Sequence, residues 1–358
     1  ITMTRCGACR WFLDGREVKV RTQPGVAVGI DEKTRSVIEV ELAAGKSRRL
    51  RVEYVKAEAE EISHLRVFVE YLPGAEGDQR VREAVELARK SDVAIVFAGL
   101  SSAIETEGKD RPHMGLPACQ NELIRAVARA NPRTVVVLNV GAPVEMPWVD
   151  EVAGILLAYY PGQEGGHAVA RTLLGQVNPS GRLPVTFPKR YEDNPTYLNY
   201  PGMREVRYGE GVFVGYRYYD KKQVEPLFPF GFGLSYTTFE YRSLKVPAVV
   251  EAGRGVPVEV TVKNTGRMAG RETVQLYVSD REASVARPVK ELKGFEKVLL
   301  RPGESKKVKF RLDSRALSFY DADRKQWVVE PGEFAVHVGS SSRQIRLNAC
   351  FTVKAAGR

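Results

Sequence analysis

Cysteine is scarce: Cys6, Cys9, Cys119 and Cys350 are the four among 358 residues. A chain this long cannot be held by so few as a disulfide framework. Cys6-Gly7-Ala8-Cys9 has the spacing of a redox or half-zinc motif, but no second cysteine pair or histidine pair follows to complete a metal site, and no thioredoxin-like βαβ unit surrounds it. It is given no role, and no metal or other cofactor is expected. Long apolar runs are missing too. None approaches the ~20 residues that span a bilayer, so no membrane partner is expected, and no secretory signal is visible at the start. That tilts the expectation towards a soluble, cytoplasmic protein, although a chain opening Ile1-Thr2-Met3 need not begin at its native start. Blocks of one charge are also absent: 54 Lys and Arg against 44 Asp and Glu give a formal net charge of +10, with the basic residues scattered. Without a basic patch interleaved with aromatics or a recognisable reading motif, nucleic acid is not expected as a partner. The excess serves solubility.

What is present is apolar material, 43% of residues, enough for two or three domains with cores of their own. In residues 1–75, alternating runs such as Trp11-Phe12-Leu13, Ser36-Val37-Ile38-Glu39-Val40-Glu41-Leu42, Leu50-Arg51-Val52-Glu53-Tyr54 and Leu65-Arg66-Val67-Phe68-Val69-Glu70-Tyr71 predict half-buried antiparallel strands. Asp14-Gly15 and Ala44-Gly45-Lys46 supply turns. This is too little for a closed sandwich and reads as the back part of one. Pro73-Gly74 with Gly77-Asp78 reads as a linker.

In residues 76–240 the pattern changes. A helix from Gln79 ends at Ser91, and a strand runs over 93–100. A helix over 118–130 is then stopped by Asn131-Pro132, and strands over 134–140 and 154–160 precede a helix over about 164–174 capped by Gly175. Such alternation means βαβ units and a parallel sheet covered on both faces. A Rossmann domain is the rival reading, but Gly-x-Gly-x-x-Gly follows none of the strands. From Asn178 onwards Pro, Gly and aromatics crowd together, as in Tyr216-Arg217-Tyr218-Tyr219, which predicts an irregular segment pinned by buried rings rather than a sugar-stacking surface. Residues 241–358 return to alternation, as in Pro257-Val258-Glu259-Val260-Thr261-Val262, with turns at Asn264-Thr265-Gly266, Pro302-Gly303-Glu304 and Pro331-Gly332-Glu333. About seven short strands at this spacing indicate a sandwich of the immunoglobulin or fibronectin type III kind. The fold class is therefore α/β plus all-β.

The candidate chemistry lies in Ile104-Glu105-Thr106-Glu107-Gly108-Lys109-Asp110-Arg111-Pro112, directly after the apolar run 93–100. In open α/β sheets, ligands collect at the segments leaving the carboxyl ends of strands, which makes Glu107 the leading functional residue. One carboxylate by itself does not make an active site.

Several stretches occur in order: Glu107-Gly108-Lys109-Asp110-Arg111, Val137-Leu138-Asn139-Val140-Gly141-Ala142-Pro143-Val144, Tyr160-Pro161-Gly162-Gln163-Glu164-Gly165-Gly166, Asn178-Pro179-Ser180-Gly181-Arg182-Leu183-Pro184, Gly215-Tyr216-Arg217-Tyr218-Tyr219 and Phe230-Gly231-Phe232-Gly233-Leu234-Ser235-Tyr236. Together they resemble glycoside hydrolase family 3, the β-glucosidase and β-xylosidase family, in its α/β sandwich domain and fibronectin III-like tail. The front segment, with Phe12-Leu13-Asp14-Gly15, looks like the rear of a PA14-like domain.

The resemblance implies that Glu107 is the acid/base of a retaining mechanism acting on a β-linked glucoside or xyloside oligosaccharide. Glu105 competes for that role, or raises the proton affinity of Glu107 by like-charge repulsion, or is a solvated loop charge. Asp110 and Arg111 would hold the loop through an ion pair, and His113 is read as a loop residue. Substrate-binding residues are not identified. The family's nucleophile is an aspartate of an N-terminal (β/α)8 barrel, and this chain shows no barrel. Glu164 and Asp150 are acids of the right domain but stand in no nucleophile motif. The expectation is thus a C-terminal portion, inactive alone, whose partner is a barrel-bearing chain or domain. The alternatives are a non-catalytic carbohydrate-binding or structural module left by gene truncation and, further off, a nucleotide-dependent enzyme.

Overall fold

The computed structural model describes residues 2–5, 7–24, 34–38, 40, 47–56, 66–68, 77–108, 110–200 and 204–355. The chain forms two compact units, one of residues 1–94, 100–112 and 122–134, the other of 95–99, 113–121 and 135–358.

In the first unit the alternating runs form antiparallel strands. Arg16–Val18, Gly7–Leu13 and Leu50–Lys56 make one sheet, and Arg21–Pro24, Thr34–Val37, Thr2–Arg5 and Arg66–Phe68 make another. Asp14 and Gly15 close the first hairpin with φ of 50° and 85°, the paired positive angles that match the twist of two-residue hairpins. The Asp14 carboxylate accepts from the Arg49 amide at 2.8 Å and pairs with Arg48. Trp11 and Ile38 form the core with Val18, Val40, Leu50 and Val52 packed around them. Phe12 points to the other face yet is buried too, because the Arg51 and Arg10 guanidinium groups lie over its ring at 4.1 and 5.1 Å.

The helix Gly77–Arg89 begins earlier than the pattern suggested, so Gly77 and Asp78 are helical rather than linker; Pro73 and Gly74 lie outside the described residues, as do parts of the expected strands at 39–42, 65 and 69–71. Asn131 is more than a helix stop. Buried, its side-chain amide donates to the carbonyls of Ala88 at 3.0 Å and Ser91 at 2.8 Å, finishing the helix Gly77–Arg89.

In the second unit a parallel sheet has the order Gly154–Leu157, Thr134–Asn139, Ala94–Gly99. Val136, Val137 and Leu138 of the central strand are fully buried. The edge strand departs from the expectation of two covered faces: Ala94, Val96 and Ala98 are buried, whereas Ile95 and Phe97 are exposed. The helix Gly165–Leu173 ends at Gly175, whose φ of 70° permits its amide to reach Thr172 O at 3.0 Å.

The Pro- and aromatic-rich segment packs by its rings, as its composition suggested. Phe228 stacks on Phe232 at 5.3 Å, and Tyr216 stacks on Phe230 at 4.8 Å and meets Tyr277 edge-on at 5.9 Å. It also contains a short helix, Tyr216–Lys222, which no periodicity announced.

The last part is a sandwich of a three-stranded sheet, Phe239–Lys245, Val256–Asn264 and Ser305–Leu312, and a five-stranded one, Val249–Glu251, Ile345–Lys354, Gly332–Gly339, Gly270–Asp280 and Glu291–Leu300. Val256, Val258, Val260 and Val262 meet Val274, Leu276 and Val278 in its core. The strand Gly270–Asp280 is buried on its outer face as well. There Gln275 donates to Gly231 O at 3.0 Å, which docks the Phe230-Gly231 stretch against it.

Candidate active site

The segment 100–112 follows the strand Ala94–Gly99 in the chain and belongs to the first unit. Its first turn is closed by Ser101, whose carbonyl accepts from the amides of Ile104 and Glu105, both at 2.9 Å. That sharp turn leaves Glu105 half-buried and carries Glu107 out into solvent. Gly108 follows with φ of 74°, and a Cβ built on it would meet nothing within 4 Å, so glycine is needed there for its backbone angle and not for space. Asp110 is exposed and Arg111 half-buried. The four charged residues singled out in the sequence therefore share one short loop, with the Glu107 carboxylate the accessible one of the two glutamates.

His113 is also exposed, and its Nδ1 accepts from the Gly115 amide at 3.2 Å, a local turn contact. Glu164, exposed before the helix Gly165–Leu173, contacts His167 Nδ1 at 2.7 Å. Asp150 lies exposed in the turn Val149–Glu151. Both acids belong to the second unit and sit in local structure of their own. Among the described residues no His, Cys, Asp and Glu side chains gather as a metal site, and no helix is long and apolar enough to cross a membrane. Cys6 lies outside the described residues, and Cys119 and Cys350 are exposed free thiols.

Two of the ordered motifs meet in the second unit. Asn139, from Val137-Leu138-Asn139-Val140, donates from its side-chain amide to Tyr159 O at 3.1 Å, beside the Tyr160-Pro161-Gly162 stretch. Tyr159 adopts a left-handed φ of 52°, and burial pushes its hydroxyl pKa up. A Cβ on Gly165 would strike the Pro161 ring at 2.7 Å, so that glycine lets the helix start against the proline. Spacing alone did not reveal this junction, because its partners lie on different elements.

Residues 15–236 match the glycosyl hydrolase family 3 C-terminal domain, and residues 272–342 match a fibronectin type III-like domain. The chain belongs to glycosyl hydrolase family 3. Within family 3 it is similar to thermostable beta-glucosidase B of Acetivibrio thermocellus, with 55% identity over 272 residues, 75% of this chain and 36% of that protein. It superposes on the beta-glucosidase of Kluyveromyces marxianus, solved in complex with glucose, with a TM-score of 0.89 and 40% identity over 99% of this chain and 43% of the other. The family 3 beta-glucosidase of Bifidobacterium adolescentis gives a TM-score of 0.75 and 46% identity over 77% of this chain and 41% of the other. The chain thus spans less than half the length of each of these relatives.

Proposed function

We propose that this chain supplies the acid/base, Glu107, of a retaining β-glucosidase, and that the nucleophile comes from a barrel-bearing polypeptide outside these 358 residues. The observation that carries the reading is the exposed Glu107 carboxylate on a tight loop, in a chain whose family 3 relatives are named beta-glucosidases and are more than twice as long. In a retaining mechanism one carboxylic acid protonates the leaving oxygen and, as carboxylate, then activates the water that releases the glycosyl-enzyme. Glu107 takes this role. The second carboxylate would stand about 5 Å away across the sugar.

Asp110 and Arg111 keep the loop in shape, and Glu105 sits within it as a second negative charge. The strands of residues 1–75 are read as the rear of a PA14-like domain. In support, the Kluyveromyces structure covers 99% of this chain and the Bifidobacterium one 77%, a difference of the size of this front segment.

The test is hydrolysis of an aryl β-glucoside by this chain alone and after co-expression with the part of the Kluyveromyces enzyme that the chain does not cover. Turnover only in the mixture supports the reading; ordinary turnover by the chain alone overturns it.

A further inference from the structure

The positive charge of the chain is unevenly spread. Residues 241–358 hold 23 Lys and Arg against 13 Asp and Glu, an excess of ten that equals the net charge of the whole chain. Along the sequence these cations look scattered, yet strand register gathers several of them on one surface. In the three-stranded sheet Phe239–Lys245, Val256–Asn264 and Ser305–Leu312, the four valines of the central strand face the core with Val308 and Leu312. The alternate positions point outward, because successive side chains of a strand lie on opposite faces.

Those outward positions carry six cations, Arg242, Lys245, Lys263, Lys307, Lys309 and Arg311, against two carboxylates, Glu240 and Glu259. Lys263 is half-buried and the other five cations are exposed. Arg242, Thr261 and Lys307 form one cross-strand row, and Lys245, Glu259 and Lys309 form another. A register shift between Arg242 and Lys245, where Ser243 has a φ of 45°, returns Lys245 to this face. Glu259 is shared, lying 3.3 Å from Lys307 and 4.0 Å from Lys309, and Glu240 pairs with Arg242. The face therefore keeps an excess of four positive charges. Its rows follow one another about every 7 Å along the strands, and its two outer columns lie about 10 Å apart.

The chemistry of the face narrows its partner. Four of the six cations are lysines, point charges that take an anion without demanding a planar fork. No aromatic side chain points outward from these three strands, since Phe239, Tyr241 and Phe310 pack against the core. Nothing there stacks on bases or anchors in a lipid interface. The major groove of a duplex admits a two-stranded ribbon, and three strands side by side are wider. A flat face with evenly spaced positive charge suits an extended anionic polymer lying along it.

We propose that this face binds a carboxylated polysaccharide, a polyuronate with one carboxylate on each sugar. The choice of a sugar polymer rests on the β-glucosidase reading, under which the chain works among carbohydrates, whereas the need for an anionic partner rests on the face alone.

The experiment measures binding of the full chain to immobilised polygalacturonate in the presence of EDTA. Wild type should bind and should be released as salt rises to about 1 M, where the screening length shrinks to about 3 Å. Lys245→Gln/Lys307→Gln/Lys309→Gln should bind about tenfold more weakly, the usual worth of three exposed ion pairs. Because these side chains are exposed, the variant should melt within about 2 °C of wild type. Arg242→Gln/Arg311→Gln, a second variant of the same face, should also bind more weakly. Lys90→Gln/Lys189→Gln/Lys222→Gln removes as much charge from exposed positions elsewhere and should bind like wild type. Duplex DNA and phosphatidylserine vesicles should bind more weakly than the polyuronate. No binding by wild type, equal losses in the two triple variants, binding that survives high salt, or tighter binding of DNA or vesicles overturns the proposal. Glu107 lies in the other unit, so Glu107→Gln should bind like wild type. Failure of the acid/base reading would appear in turnover and leave polymer binding unchanged.

Discussion

Arg182 Nη2 donates to Glu272 Oε2 at 2.6 Å, joining side chains that are 9% and 3% exposed and 90 residues apart. The other carboxylate oxygen accepts from the Tyr241 hydroxyl at 2.7 Å. Burial, reinforced by the Glu272 charge, pushes the Tyr241 hydroxyl pKa up, so that hydroxyl remains a donor at every ordinary pH. The pair fastens the Asn178-Pro179-Ser180-Gly181-Arg182 motif to the sandwich.

Removing one partner strands a buried charge. Arg182→Met or Glu272→Leu is therefore expected to lower the unfolding free energy by about 3–5 kcal/mol in urea titration. The double replacement should lose clearly less than the sum of the two. Strict additivity would show that the ion pair does not couple the two segments.

Gly231 carries a second prediction. Its φ is 80°, and a Cβ there would stand 2.1 Å from Gln275 Oε1. That oxygen already accepts from the Tyr277 hydroxyl at 2.6 Å, and Gln275 Nε2 donates to Ser340 O at 2.8 Å, so the side chain has nowhere to retreat. Gly231→Ala should cost about 2–4 kcal/mol, combining backbone strain and overpacking. Gly162→Ala, where a Cβ meets nothing within 4 Å, should stay within about 0.5 kcal/mol. Equal losses at the two positions would contradict the packing described.

His337 makes stability depend on pH. Its Nε2 lies 2.8 Å from Ser279 Oγ and its Nδ1 2.6 Å from Asn348 Oδ1. Burial lowers its pKa from the ordinary 6.5, with Lys290 and Arg281 adding to the effect and the Asn348 contact opposing it. The folded state thus holds the imidazole neutral where the unfolded chain has begun to bind a proton. Its contribution is complete above about pH 6.5 and is lost as pH falls towards the lower folded value. In urea titrations at stepped pH, His337→Gln should flatten the decline of stability below about pH 6.5. An unchanged slope would mean that other groups carry it.

Much of this architecture can be read along the chain. The valines at 256, 258, 260 and 262 alternate because one face of their strand is core and the other solvent. The helix Ala118–Ala130 ends where Asn131-Pro132 is expected to stop it. What stays hidden is set by partners distant in sequence. Asn131 looks like a simple stop, yet it completes another helix 40 residues away. Gln275 and Tyr277 look like the wet face of a strand, yet an irregular segment covers them. Ile95 and Phe97 look buried because they suit a covered sheet, and no pattern within the strand states whether its cover belongs to the same chain. The short helix Tyr216–Lys222 is too brief and too aromatic to show a period, and Gly215 opens it at a φ of 63°. At the candidate site, the sequence shows that Glu105 and Glu107 share one loop, whereas the half-burial of Glu105 depends on the turn closed at Ser101.

The most direct measurement is the kinetics of Glu107→Gln in the chain co-expressed with the part of the Kluyveromyces marxianus β-glucosidase that it does not cover. Hydrolysis of an aryl β-glucoside with a poor leaving group should fall by about 10²–10⁴-fold, the usual contribution of a general acid/base. With an activated aryl β-glucoside, whose leaving group departs without a proton, added azide should raise the variant's turnover and release β-glucosyl azide, because an anionic nucleophile needs no base to attack the glycosyl-enzyme. Wild-type rates in the variant on the poor substrate, or no relief by azide on the activated one, would contradict the assignment of Glu107 as the acid/base.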